Sequence, residues 1–147
     1  MSLEGSYTSE IIVPKTQMVS FQGNLKESPC GDILQKAMEK VVRDHGGRMD
    51  TSYTDNEGKV IPSLFSMRTN DFPRGVGAFI EKDGRVVFRY DAYGDTAKKG
   101  QAICDEINQA YNVIAVIRAQ KRFGFDIRIK EQPLSGGRKV VTVTGIR

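Results

Sequence analysis

The stretch VGAFIEKDGRVVFRY, residues 76–90, decides the fold of this chain. Side chains alternate between two faces on both sides of Lys82-Asp83-Gly84-Arg85, and a period of two is typical of a β-strand. Asp-Gly is favoured in the type I′ turn, whose two central residues both need positive φ. The stretch therefore predicts an antiparallel hairpin that turns at Asp83-Gly84.

The rest of the chain predicts five further strands. They cover Ile11–Phe21, Arg48–Thr54, Val60–Thr69, Phe125–Glu131 and Lys139–Ile146. Pro14 interrupts the first of these, and proline cannot donate to a ladder, so that strand is expected to lie at a sheet edge or to carry a bulge. The composition of residues 55–58 and 134–137 predicts a turn within each of two further hairpins.

Two helices have start and stop signals. Ser28 can cap the first helix with Pro29 at its first position, and Gly46-Gly47 can end it. The second is expected from Asp95 or Thr96 to Phe123. Apolar residues recur at three- and four-residue spacing in both: Ile33, Leu34, Ala37, Met38, Val41 and Val42 in the first, and Ile103, Ile107, Ala110, Tyr111, Ile114 and Ile117 in the second.

The predicted order of elements is β-α-β-β-β-β-α-β-β. Hairpins that lie between helices favour an α+β fold, with an antiparallel sheet and both helices packed on one face. The other face of the sheet would then be free to meet solvent or a partner. A length of 147 residues predicts one domain, residues 1–147.

Composition excludes several classes of protein. With 39% hydrophobic and 27% charged residues, the chain is neither collagen-like nor disordered throughout. It contains no apolar run long enough for a transmembrane helix and no apolar segment typical of a secretory signal, so no membrane partner is expected. Its two cysteines are too few for a disulfide framework and indicate a reducing compartment, the cytoplasm or a plastid stroma.

Positive charge is concentrated near the C-terminus. Residues 118–147 carry eight basic and two acidic side chains, a net charge of +6, whereas residues 1–117 carry a net charge of −2. Such an asymmetry favours an acidic partner, either a protein surface or nucleic acid, although a solvated surface that only aids solubility has the same pattern. The candidate binding residues of this segment are Arg118, Lys121, Arg122, Arg128 and Lys130.

Signals for catalysis are weak. The sequence contains no phosphate-binding loop, zinc-protease motif or nucleophile elbow, and it predicts no metal site and no cofactor. Asp91 with Asp95 could form an acid/base pair or hold a cation, and Cys30 could be a nucleophile near a helix N-terminus. The alternatives are an exposed strand face that runs into a helix cap, and an unreactive thiol. His45, the only histidine, is expected on the surface at a helix C-terminus, where the helix dipole favours its protonated form.

Three short motifs indicate a family. They are Lys15-Thr16-Gln17, Ile107-Asn108-Gln109-Ala110-Tyr111 and, 12 residues further on, Gly124-Phe125. In these motifs the chain resembles the hypothetical chloroplast reading frame thirty-five family, a domain of unknown function found in cyanobacteria and algal plastids. The resemblance covers most of the chain apart from residues 48–83, and it implies no reaction and no catalytic residues.

Packing explains only part of this signature. Ile107 and Tyr111 lie four residues apart and are expected to pack on the sheet, and Gly124 ends the helix. Lys15, Thr16, Gln17 and Gln109 have no such explanation and are additional candidate binding residues. The sequence thus predicts a small non-catalytic binding or assembly accessory protein for a macromolecular partner. Nucleic-acid binding through residues 118–147 and an enzyme that uses Asp91, Asp95 or Cys30 are alternatives, and the oligomeric state stays open.

Overall fold

The computed structural model of the chain describes residues 4–94, 96–124, 126–133 and 139–146. The chain divides into two compact units, Met1–Ala110 and Tyr111–Arg147. The helices of the described residues are α1 (Lys15–Ser20), α2 (Pro29–His45) and α3 (Thr96–Arg122). The strands are β1 (Glu4–Ile12), β2 (Gly47–Thr54), β3 (Val60–Thr69), β4 (Phe72–Ile80), β5 (Arg85–Asp91), β6 (Asp126–Pro133) and β7 (Lys139–Ile146). The single domain expected from the length stays a prediction.

The first unit contains a five-stranded antiparallel sheet. Its strand order is β1-β5-β4-β3-β2, so β1 and β2 are the two edge strands. Strands β2, β3, β4 and β5 each pair with the next strand along the chain. Strand β1 pairs with the other side of β5. This sheet, together with the helices, confirms the predicted α+β class.

Helix α2 has the predicted start and end. The Ser28 hydroxyl accepts a 3.0 Å hydrogen bond from the Gly31 N–H, and Pro29 is the first helical residue. Gly46 follows the last turn with a φ of 76°, a conformation that favours glycine. The predicted apolar residues of this helix are all buried, and the helix packs against β2 and β3.

The first half of α3 approaches the sheet at Tyr90. The Tyr90 ring lies between Gly5 on β1 and Gly100 on α3, because a Cβ at either glycine would come within 2.3 or 2.2 Å of that ring. Ile103, Cys104 and Ile107 continue the buried stripe of the helix. Two glycines therefore allow the close approach of helix and sheet, and this face carries most of the core.

The opposite face of the sheet is partly covered by a side chain of the sheet itself. Tyr53 on β2 is only 1% exposed, and its ring lies where a side chain of Gly77 would otherwise stand, 2.4 Å from an ideal Cβ. The same ring packs edge-on against Phe79. The expectation that this face is free for a partner is thus wrong where Tyr53 lies, because glycine at position 77 leaves room for the ring.

Each of two hairpin turns uses one glycine. In the turn of residues 81–85, the Gly84 N–H donates to the Glu81 carbonyl, and the turn of residues 55–59 has the same pattern at Gly58 and Asp55. Gly84 has a φ of 91°, but Asp83 does not have positive φ, so the predicted type I′ turn is wrong. The pattern is typical of a type I turn followed by a glycine bulge, with the Asp83 carboxylate accepting from the Arg85 N–H.

The segment after Pro14 forms a helix rather than the predicted strand. Strand β1 ends at Ile12, and the Pro14 carbonyl accepts hydrogen bonds from the N–H groups of Gln17 and Met18, which begins α1. Proline suits the start of a helix because its fixed φ and missing donor cost nothing there. Lys15, Thr16 and Gln17 therefore lie on a short helix.

The last two strands form a separate sheet. β6 and β7 pair only with each other among the described residues, in a two-stranded antiparallel ribbon that belongs to the second unit. The prediction of one common sheet is wrong in this respect, because alternation identifies a strand but not its neighbours. The ribbon's connection, residues 134–137, and Phe125 lie outside the described residues.

Candidate functional site

The second unit contains a group of exposed basic side chains. Lys121 and Arg122 lie in the last turn of α3, and Arg128 and Lys130 lie on β6. All four residues are exposed. Lys121 and Arg122 also lie where the negative end of the helix dipole stabilises cations. We call these four residues the cationic surface.

The register of the ribbon places polar side chains on one face. Arg128 lies opposite Thr144, and Lys130 lies opposite Thr142. Because successive side chains of a strand point to opposite faces, these residues and Gln132 share one face with Val140 and Ile146. The five polar side chains are exposed, and so are the two apolar ones. We call the five polar residues the outward face of the ribbon; they offer cations, hydroxyls and an amide to a partner.

The other face of the ribbon is largely apolar. Ile129 lies opposite Val143, and Glu131 lies opposite Val141. The two valines are half-buried, whereas the Lys139 ammonium lies 3.7 Å from the Glu131 carboxylate. Glu131 therefore lies beside a lysine that is not part of the cationic surface.

The predicted binding residues are divided between the two units. Arg118, Lys121, Arg122, Arg128 and Lys130 all belong to the second unit. Lys15, Thr16 and Gln17 belong to the first unit, on α1, and Gln109 lies half-buried on the part of α3 in that unit. The nine residues thus do not form one compact site.

Gln17 has a structural partner. Its side-chain carbonyl accepts a 3.0 Å hydrogen bond from the Cys30 N–H in the first turn of α2. The first N–H groups of a helix have no partner within the helix, so Gln17 supplies one from outside. This contact joins residues 13 apart in the sequence and has no local sequence signal.

Asp91, a candidate catalytic carboxylate, is buried at the end of β5. It accepts a 3.0 Å hydrogen bond from the Tyr93 N–H, and it lies 3.5 Å from the Arg74 guanidinium. Its proposed partner Asp95 lies outside the described residues. The contacts of Asp91 are those of a carboxylate that holds a strand end in place.

A groove opens beside Asp91 within the first unit. Its volume is about 210 Å³, below the roughly 300 Å³ at which pockets for small molecules begin. Charges of both signs line it: Asp71, Arg74, Asp91 and Lys99. The mixture of signs leaves no excess of either charge that would select a charged substrate.

The two cysteines differ in environment. Cys104 is fully buried on α3, and burial, with a contribution from the nearby Asp105, raises the pKa of its thiol well above the ordinary value. Cys30 is half-buried in the first turn of α2. Since the thiolate is the reactive form, Cys104 is a packing residue.

His45 lies between two carboxylates. Its Nε2 is 2.5 Å from Glu106 on α3, and its Nδ1 is 3.5 Å from Asp71 in the β3–β4 turn. Burial lowers the pKa of His45, but the hydrogen bond and charge of Glu106, with those of Asp71, outweigh burial and raise it overall. The sequence predicted the helix end but not these partners, which tie α2, α3 and the turn together.

No family model, curated protein or solved structure matches the chain. The resemblance to the hypothetical chloroplast reading frame thirty-five family therefore stays a prediction. In the described part of the chain, no helix is long and apolar enough to cross a membrane. The same residues contain no group of three or more His, Cys, Asp or Glu side chains that could hold a metal ion.

Proposed function

We propose that this chain is a non-catalytic accessory protein that binds an acidic macromolecule through the cationic surface, Lys121, Arg122, Arg128 and Lys130. The observation that carries the proposal is the exposure of four side chains of one sign within one compact unit. Clustered charge of one sign attracts an oppositely charged partner and raises the rate of encounter. Binding of this kind weakens with salt, because exposed charges are screened.

Binding is a better account than catalysis because the candidate catalytic groups have structural contacts. Asp91 is held by Tyr93 and Arg74, and the Cys30 N–H is held by Gln17. A catalytic pair would need a nucleophile and a base within hydrogen-bond reach, and neither residue has such a partner among its described contacts. The cationic surface, in contrast, is directed to solvent.

The proposal is tested with two labelled polyanions, a heparin oligosaccharide and polyglutamate. Fluorescence anisotropy measures their affinity for the full chain at two salt concentrations. In the test variant Lys121, Arg122, Arg128 and Lys130 are each replaced by Glu. In the control variant four exposed basic residues of the first unit are replaced by Glu, giving the same net charge: Arg43, Lys59, Lys82 and Lys98.

We expect the unaltered chain and the control variant to bind with salt-dependent affinity and the test variant to lose binding by more than about tenfold. Circular dichroism establishes that both variants are folded. An equal loss in both variants would show an effect of net charge alone and contradict the proposal. Turnover in a substrate screen that Asp91→Asn or Cys30→Ser abolished would contradict its non-catalytic part.

A further inference from the structure

We infer that the ribbon of β6 and β7 enters the major groove of duplex DNA with its outward face, Arg128, Lys130, Gln132, Thr142 and Thr144, against the base edges. This inference rests on the proposed function and names the class of its partner. It uses the shape of the ribbon and its uncharged side chains, neither of which the proposed function requires.

The width of the ribbon fits the groove. The major groove is about 12 Å wide and admits a two-stranded ribbon. Neighbouring strands lie about 5 Å apart, so two strands fit, whereas a five-stranded sheet spans roughly 19 Å and does not. β6 and β7 pair in a sheet of their own, separate from the five strands of the first unit. Their pairing runs over eight residues of each strand, a length of roughly 27 Å.

The spacing along the ribbon also suits DNA. Arg128, Lys130 and Gln132 alternate along one strand, so neighbouring outward side chains are about 6.8 Å apart. Base pairs rise about 3.4 Å along the duplex. The distance between neighbouring outward side chains of β6 therefore equals the rise of two base pairs. Thr144 and Thr142 lie directly opposite the first two of these residues and widen the contact to a second strand.

The chemistry of the outward face distinguishes DNA from an acidic protein. Arginine and lysine donate to guanine O6 and N7, glutamine pairs with adenine N6 and N7, and threonine offers a hydroxyl and a methyl group to bases. A carboxylate surface would be matched by the cations alone. The exposed Gln132, Thr142 and Thr144 add hydrogen-bonding groups without charge, which base edges use.

The experiment compares three probes: a labelled duplex DNA, the duplex RNA of the same sequence, and polyglutamate. A pool of duplexes with a randomised centre is then selected on the full chain and sequenced. We expect an enriched sequence, tighter binding of DNA than of RNA, and loss of binding when guanine N7 is methylated. The RNA major groove is too deep and narrow for side chains to read, which makes the RNA a matched control.

Variants that keep the net charge test the base contacts. We expect Gln132→Leu to reduce the preference for the selected sequence over random DNA by roughly 5- to 150-fold, the range for one bidentate base contact, and Thr142→Val to reduce it by a smaller factor. Affinity for random DNA should change by less than about twofold, because phosphate contacts depend on charge. Thr51→Val, an exposed substitution on β2, should change neither quantity.

The outcomes separate this inference from the proposed function. Binding of heparin or polyglutamate without binding of duplex DNA would overturn the inference and leave the proposed function in place. Duplex binding without sequence preference, and without interference from guanine methylation, would overturn it equally. Absence of binding to every polyanion would overturn both.

Discussion

The Tyr53 hydroxyl donates a 2.6 Å hydrogen bond to Glu4 Oε1, which joins the two edge strands of the five-stranded sheet. Edge strands of a flat sheet of this size would lie roughly 19 Å apart. The sheet is therefore strongly curved, and the Tyr53 ring crosses its inner side above Gly77. Burial and the Glu4 carboxylate both raise the pKa of Tyr53, so the phenol keeps its proton.

Removing this hydroxyl should destabilise the first unit modestly. We expect Tyr53→Phe to lower the free energy of unfolding by about 1 kcal/mol, because the ring stays packed and one hydrogen bond is lost. Urea unfolding followed by circular dichroism measures the change. Tyr93→Phe is the matched control, since Tyr93 is 61% exposed, and it should be neutral. Equal stability of all three proteins would contradict a role for the bond between the edges.

Gly77 should tolerate no side chain while Tyr53 is present. An ideal Cβ would lie 2.4 Å from the Tyr53 ring, so we expect Gly77→Ala to cost about 2 kcal/mol through overpacking. In a Tyr53→Ala background the same substitution should cost clearly less, because the ring is absent. A double-mutant cycle by urea unfolding measures this coupling. Additive effects would show that the ring does not occupy the space above Gly77.

Gln17 should contribute to stability rather than to binding. We expect Gln17→Ala to lower the free energy of unfolding by about 1 kcal/mol, because the Cys30 N–H loses its partner at the start of α2. The neighbouring Lys15→Ala is the control and should be neutral, since Lys15 is exposed. Thermal unfolding distinguishes the two. A neutral Gln17→Ala variant that lost polyanion binding would instead make Gln17 a binding residue.

The contribution of His45 should depend on pH. The pKa of His45 is raised in the folded chain, so its contribution is complete below the ordinary pKa of about 6.5. It is lost as pH rises through the folded value. We therefore expect the chain to exceed a His45→Gln variant in stability by about 1 kcal/mol near pH 6 and by less above pH 8.

Urea unfolding of both proteins across this range measures the difference. The groups that face His45 are Glu106 and Asp71, and Glu106→Gln should remove most of the pH dependence. A difference in stability that stayed constant with pH would show that His45 acts by packing alone.

Local signals predicted most of the elements correctly. The cap at Ser28, the end at Gly46 and the alternation around Phe88 each depend on neighbours in sequence, and the structure confirms them. Lys15–Gln17 was predicted as strand because β-branched residues surround it, but the proline before it begins a helix. The Asp83-Gly84 pair correctly predicts a turn at this position. The predicted type I′ is wrong, because Gly84 has positive φ and Asp83 does not.

Contacts between distant residues could not be predicted in this way. Tyr53 and Glu4 meet only because the sheet curves, and Gln17 meets Cys30 only because α1 lies beside the start of α2. The pairing of β6 with β7 alone also depends on the whole chain, since alternation does not identify the partner of a strand. The excess of basic residues in the second unit can be counted in the sequence. Which residues of β6 and β7 share the outward face follows only from the register of the two strands.

The central claim is that the cationic surface of the second unit is where an acidic macromolecule binds. The most direct measurement is an NMR titration of the isotope-labelled full chain with a heparin oligosaccharide, following backbone amide shifts. The account predicts that the largest shifts occur at Lys121, Arg122, Arg128 and Lys130 and their neighbours on the ribbon. Shifts centred on α1 or on the five-stranded sheet, or none at all, would contradict it.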